Sequence, residues 1–191
     1  MFEWISMGWA LNDPLPKDVD VIALISYAAT TTHLTNGSRR TTGLAAHFAK
    51  SYPNAVIVGG IFSKNSGSIE WMEKEMILNG YPNKMICVGP VSSTTDECEA
   101  ILKASGNAKS IIIVCEGWHS RRVRIVWKHF FTGEMCFQSV SGHRCADPKN
   151  PMWMHRYSML WATINICLTP FFKFFPGVGW FARKNFSQPA R

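Results

Sequence analysis

The residues best suited to chemistry in this sequence are an imidazole and a guanidinium that stand three residues apart. His119 and Arg122 follow the apolar run SIIIVCEG, in a segment of helical character. Three residues make just under one helical turn, so both side chains lie on one face. Histidine can exchange a proton near neutral pH, and arginine can hold an anion through paired N–H donors. The spacing alone is weak evidence, because Arg122 could equally be one cation of a solvated face beside Arg121 and Arg124.

Further candidate ligand groups follow the other predicted strands. A parallel sheet binds ligands beyond the carboxyl ends of its strands, at a switch in strand order. Hydroxyls, cations and backbone amides at helix starts suit a small anionic ligand, such as a phosphate or a carboxylate. The Ser92–Thr95 stretch is also explained as a plain helix N-cap. The groups after strands one to four are Thr30 to Thr32, His33, Arg39 and Arg40; then Gly59, Gly60 and Ser63 to Ser68; then Ser92 to Thr95; and then Glu116, His119 and Arg122.

The elements that must position these residues alternate along the chain. Five apolar runs bounded by turn residues predict strands, and amphipathic segments between them predict helices. This order predicts an α/β fold of three-layer, Rossmann-like type, with a mainly parallel five-stranded sheet and helices on both faces. The predicted strands are VDVIALISYA, NAVIVGG, KMICVGP, SIIIVCEG and EMCFQSVSG.

The C-terminal part of the chain has a different character from residues 1–150, which we predict to form the Rossmann-like domain. Residues 151–191 predict an apolar helix, Met152 to Thr169, that ends at Pro170 and is followed by an aromatic, cationic tail. A thin polar stripe runs along the helix through Ser158, Ala162, Asn165 and Thr169. Such a helix is either the last core element of the domain or part of a membrane-facing segment. In the second case we expect Phe171, Phe172, Phe174, Phe175, Trp180 and Phe181 to enter a membrane interface, with Lys173, Arg183 and Lys184 on anionic head groups.

Charge and cysteine usage exclude several classes of function. The formal net charge is +7, but residues 1–147 are nearly neutral and no acidic residue follows Asp147. The cations therefore belong to the tail, and we predict no nucleic-acid partner. The six cysteines show no metal-binding spacing, so we predict no metal. Cys87, Cys115 and Cys136 lie in apolar runs that predict buried strands, and unpaired buried thiols fit a reducing compartment. The N-terminus lacks the pattern of a signal peptide. We expect a cytoplasmic protein, soluble or peripheral at the inner face of the membrane.

The order of motifs resembles the YdcF/SanA/ElyC family of bacterial proteins over about residues 20–139. The motifs are VIALISYA, SRRTTGLAAHF, IVGG, WMEKEMILNGYP, SSTTDEC and VCEGWHSRRV. The resemblance implies a Rossmann-like fold, and S-adenosylmethionine as a candidate ligand or cofactor, or a role in envelope and peptidoglycan maintenance. With His119 as the candidate catalytic residue, it implies that the ligand contacts are Arg39, Arg40, Gly59, Gly60, Ser68, Ser92, Thr94, Thr95, Glu97 and Arg122.

The sequence departs from the family pattern at two carboxylates. Gly67 and Ser68 stand where many members have Ser-Glu, and Gly89 stands where an acidic residue is common. The usual Asn of the helix-start motif is Thr94. Two hypotheses follow. The first is a domain that binds a small anionic ligand, either nucleotide-like or a phosphorylated metabolite, with or without transfer or hydrolytic chemistry. The second is a non-enzymatic, membrane-peripheral envelope factor.

Overall fold

The architecture is a five-stranded parallel sheet with helices on both faces, which confirms the predicted fold class. The computed structural model of the chain describes residues 7–25, 33–61, 68–82, 84–91, 93–150 and 153–174. The strands are β1 (Val21–Leu24), β2 (Val56–Gly60), β3 (Ile86–Val88), β4 (Ser110–Glu116) and β5 (Glu134–Val140). The helices are α1 (Asn36–Ser51), α2 (Ser68–Leu78), α3 (Thr94–Ala104), α4 (Gly117–Phe130) and α5 (Ser158–Phe174).

The strand order places a topological switch at the centre of the sheet. The order is β3-β2-β1-β4-β5, and every neighbouring pair is parallel. The chain therefore runs outward from β1 to β3, crosses back, and runs outward again from β4 to β5. Ligand crevices of open parallel sheets form at the carboxyl ends of the two strands that flank such a switch. Here those strands are β1 and β4.

Alternate side chains of the central strands enter two cores, one on each face of the sheet. Ile22 and Leu24 of β1 pack with α1 and α2, whereas Val21 and Ala23 face α3 and α4. Strand β4 is buried along its whole length, as its continuous β-branched run predicts. This two-sided burial fixes the ends of β1 and β4, and so fixes where the residues that follow them lie.

Two details of burial differ from the sequence interpretation. The pattern predicts one apolar face of α2 that includes Ile69, Met72, Met76 and Ile77. Met72 and Met76 are buried in the core, but Ile69 and Ile77 are exposed, so the buried stripe of α2 is narrower than predicted. Cys87, predicted to be buried, is half-buried, since β3 is a short edge strand.

The C-terminal helix begins later and ends later than predicted. Trp153–Arg156 forms a 3-10 turn, and α5 itself begins at Ser158. Pro170 does not end α5 but lies inside it. Proline lacks an N–H, so the carbonyl of Ile166 loses its helical partner. Because Pro170 and Ile166 are both exposed, water can reach this carbonyl, and the helix continues. Among the helices that the structure describes, none is both long and apolar enough to cross a membrane.

The N-terminal segment covers the free edge of β5. Asp13 donates its backbone N–H to the Phe137 carbonyl, and its carboxylate accepts the Phe137 N–H at 2.9 Å. The same carboxylate pairs with Arg124 of α4. These contacts satisfy polar groups of an edge strand that would otherwise face solvent.

Candidate functional site

The site at the carboxyl end of β4 is built around a buried carboxylate. Glu116 is the last residue of β4 and the N-cap of α4, and it has no exposed surface. One oxygen accepts the backbone N–H of Trp118, and the other accepts the N–H of His119. The second oxygen also accepts the indole N–H of Trp161, at 2.9 Å. Glu116 thus fixes the start of α4 and joins it to α5, because a buried carboxylate needs such donors.

His119 meets the start of helix α3. Its Nε2 lies 3.1 Å from the hydroxyl oxygen of Thr94, and both side chains are buried. Thr94 begins α3 directly after Ser93, whose hydroxyl caps the helix by accepting the N–H of Asp96. The loop after β3 and the helix after β4 therefore come together at one point of the carboxyl edge.

Arg122 and two histidines surround the ring of Trp161. The guanidinium carbon of Arg122 lies 5.7 Å from the centroid of that ring, and the His119 and His155 rings lie 5.9 Å and 4.0 Å from it. Burial lowers the pKa of His119 well below its usual range, and the charges of Arg122 and His155 lower it further. Burial, with the Arg122 charge, lowers the pKa of His155 to about 4. Both imidazoles are therefore neutral near pH 7 beside a fixed positive charge. We call Thr94, Glu116, His119, Arg122, His155 and Trp161 the His119 site.

A small cavity lies beside the His119 site. Its walls include Glu116, His155, Trp161, Gly37 and Cys145, and its volume of about 10 Å³ has room for one water molecule. An organic ligand does not fit in this cavity.

Of the two predicted arginines, Arg40 is the one whose charge acts on Cys145 in the wall of this cavity. Burial raises the pKa of the Cys145 thiol well above its usual value, Glu116 adds to the rise, and the Arg40 charge opposes it. Both arginines are exposed, and Arg39 donates a hydrogen bond to Asn36 of its own helix.

Gly59 and Gly60, predicted as ligand contacts, have a packing explanation. A side chain on Gly60 would collide with the carboxylate of Glu97, and one on Gly59 would collide with the methyl group of Met85. Glu97, another predicted contact, is itself fully buried. The glycines therefore make room for neighbouring side chains of the domain.

The structure brings some predicted residues together and leaves others undescribed. His119, Arg122 and Thr94 belong to the His119 site, and Thr95 is buried beside it in α3. Ser92, Thr30 to Thr32, and residues 63–67 lie outside the described residues. Ser68 begins α2, and its side chain lies outside the description.

Sequence reasoning missed two members of the His119 site. The sequence pattern offers His155 only as an ordinary core or surface histidine, and it does not mark Trp161 as a candidate. Neither has a partner at short sequence spacing, because both reach the site only when α5 and the turn before it pack on α4. The signal that was available is Trp161 itself, which lies beside the thin polar stripe of an otherwise apolar helix.

Comparisons with known proteins leave the family resemblance a prediction. No model of a known protein family matches the chain, and no curated protein matches it either. Among the residues that the structure describes, no group of three or more His, Cys, Asp or Glu side chains could hold a metal ion.

Proposed function

We propose that this protein binds a small ligand through a phosphate or carboxylate group, at the carboxyl edge of the sheet where β1 and β4 diverge. The observation that carries the proposal is Arg122, a half-buried guanidinium one turn from His119 and beside two imidazoles held neutral. A partly buried cation at such an edge attracts an anion more strongly than an exposed cation does, because water screens the charges less.

Two further features support this proposal. His119 and Thr94 supply hydrogen-bonding groups next to the cation. The position, at the carboxyl end of β4, lies beside the switch point at which open parallel sheets usually hold ligands.

The test measures binding of three probes by calorimetry: inorganic phosphate, a sugar phosphate and S-adenosylmethionine. The third is included because the family resemblance implies it. We expect Arg122→Ala to weaken binding of the anionic group by about 1.5–3 kcal/mol, the range of a charge-assisted hydrogen bond. The matched control is Lys128→Ala, which removes an exposed cation from the far end of the same helix.

Two results would overturn the proposal. One is that none of the three probes binds the unaltered protein at millimolar concentration. The other is that Arg122→Ala and Lys128→Ala weaken binding equally, which would mean that the effect is one of net charge. Arg122→Lys serves as a folded comparison, because it keeps the charge and loses only the paired donors.

A further inference from the structure

Helix α5 presents apolar residues to solvent as well as to the domain. The polar stripe predicted from the sequence faces the domain: Asn165 is fully buried, and Ala162 is nearly so. The side that points away from the domain carries apolar residues. We call this side the outer face of α5, and its residues are Met159, Thr163, Ile166, Pro170 and Phe174.

The outer face of α5 is well exposed, and few of its groups need a hydrogen bond from water. Met159 and Phe174 are 69% and 74% exposed, and Ile166, which lies between them along the helix, is 40% exposed. The hydroxyl of Thr163 donates a hydrogen bond to the Met159 carbonyl at 2.9 Å. The methyl group of Thr163 therefore adds to the apolar surface. A surface helix normally turns its apolar stripe to the core, and contiguous exposed apolar surface marks an interaction site.

The polar groups of α5 are used inside the domain, which holds this orientation in place. The Trp161 indole donates to Glu116, and the Asn165 amide donates to the Trp161 carbonyl. Rotating the helix to bury the outer face would break the first bond and expose Trp161. The exposed apolar side is therefore a consequence of the His119 site's own hydrogen bonds.

Charge selects the partner of the outer face. Arg156 precedes α5 and Lys173 lies in its last turn, and both are exposed. No acidic residue follows Asp147, while Arg183, Lys184 and Arg191 lie further along the sequence. A second copy of the chain would bring the same cations against one another, because a two-fold interface pairs each patch with itself. An anionic lipid surface offers the opposite charge and an apolar interior together.

We propose that the outer face of α5 lies on anionic membranes, with Met159, Ile166 and Phe174 in the head-group boundary and Lys173 on lipid phosphates. The helix has 17 residues and is about 25 Å long. It lies parallel to the surface, because its inner side is held by the domain. This binding is peripheral and reversible, and it is independent of the anion site proposed above.

The test is flotation of the full chain with vesicles of phosphatidylcholine alone and of phosphatidylcholine mixed with phosphatidylglycerol. We expect recovery with the mixed vesicles, little with the neutral ones, and release in high salt, since salt screens surface charge. Lys173→Glu should lower the partition coefficient by about fivefold or more. Lys128→Glu, the same change on exposed α4 surface, should lower it less.

The apolar contribution is tested by the triple change of Met159, Ile166 and Phe174 to Ser, which should abolish recovery. The matched control is Ile77→Ser with Leu78→Ser, which alters two apolar residues of α2 that are 58% and 81% exposed. Circular dichroism checks that each variant folds. The proposal fails if the chain stays unbound with both vesicle types, or if the control variant loses as much binding as the triple variant. It also fails if the outer face instead makes a dimer that the triple variant dissolves.

Discussion

Both carboxylate oxygens of Glu116 accept hydrogen bonds that hold the surrounding elements in place. Each oxygen accepts a backbone N–H of the first turn of α4, and one also accepts the Trp161 indole. The carboxylate is therefore committed to structure. Arg122 lies one turn further along α4, near His119 and His155. Both histidines are neutral near pH 7, because burial and the Arg122 charge each lower the pKa of His119 and the pKa of His155.

We expect the free energy of unfolding to fall as the pH drops from about 6.5 toward 4. A histidine of the unfolded chain takes up a proton near 6.5, whereas His155 in the fold does so only near 4. Within this window the unfolded state binds more protons, so acid favours unfolding, and His119 adds to the effect. For His155 the full loss is on the order of 3 kcal/mol. Urea unfolding across the pH range measures it.

The variant that isolates this effect is His155→Gln, which should flatten the dependence of unfolding on pH. His47→Gln changes an exposed histidine of α1 and is the matched control. Equal pH dependence in His155→Gln and the unaltered protein would show that His155 is not held neutral by the fold.

At the scale of elements, the sequence predicts what is local and misses what depends on packing between distant elements. The strands were predictable because runs such as SIIIVCEG carry their own signal, and α3 was predictable from Ser93 and the acids after it. The HxxR spacing correctly pairs His119 with Arg122 on one face of α4. It could not tell Arg122 from its neighbours, which differ only in tertiary contacts: Arg121 stacks on Trp9, and Arg124 pairs with Asp13.

The same limit explains the errors in α5. A proline normally ends a helix, but Pro170 lies on the exposed side, where water can reach the Ile166 carbonyl that loses its helical partner. The polar stripe was recognised, but the direction in which it points depends on Glu116, which is more than forty residues away along the chain.

The edge of β5 provides a prediction for a single element. Asp13→Ala removes both the partner of Arg124 and the acceptor of the Phe137 N–H. We expect a loss of about 1–3 kcal/mol in unfolding free energy, because donors are left unpaired at a partly buried site. Asp18→Ala, a change at an exposed acid, should cost much less in the same denaturation experiment. Similar losses in the two variants would show that the N-terminal segment does not anchor β5.

At the scale of the whole molecule, α5 and the sheet behave as one packed body. Trp118, Trp161 and Ala162 form a third apolar cluster that joins α4 to α5, and Trp9 of the N-terminal segment packs against it. The Trp9 indole also donates to the Trp118 carbonyl. Distant parts of the chain therefore share one cluster at the carboxyl edge of the sheet.

Because α4, α5 and the N-terminal segment pack in this one cluster, we expect a single cooperative unfolding transition. Tryptophan fluorescence reports on Trp9, Trp118 and Trp161 of this cluster and on Trp71 and Trp127 of the two cores, and far-ultraviolet circular dichroism reports on the sheet and helices. In urea the two signals should change together, as two-state unfolding requires. A fluorescence transition that precedes the dichroism transition would show instead that α5 detaches before the sheet unfolds.

The hydrogen bond from Trp161 to Glu116 also sets the order in which the site is completed during synthesis. A ribosome makes the chain from its N-terminus, so β1 to β5, the strands that the structure describes, have all been made once Val140 has been added. Glu116, made earlier, still lacks its indole donor at that moment, and His155 has yet to be added. A nascent chain that ends within the 3-10 turn at Trp153–Arg156 holds the whole sheet and only part of its site. Of the helices that the structure describes, α5 is translated last, and it supplies the indole donor that completes the hydrogen bonds of Glu116.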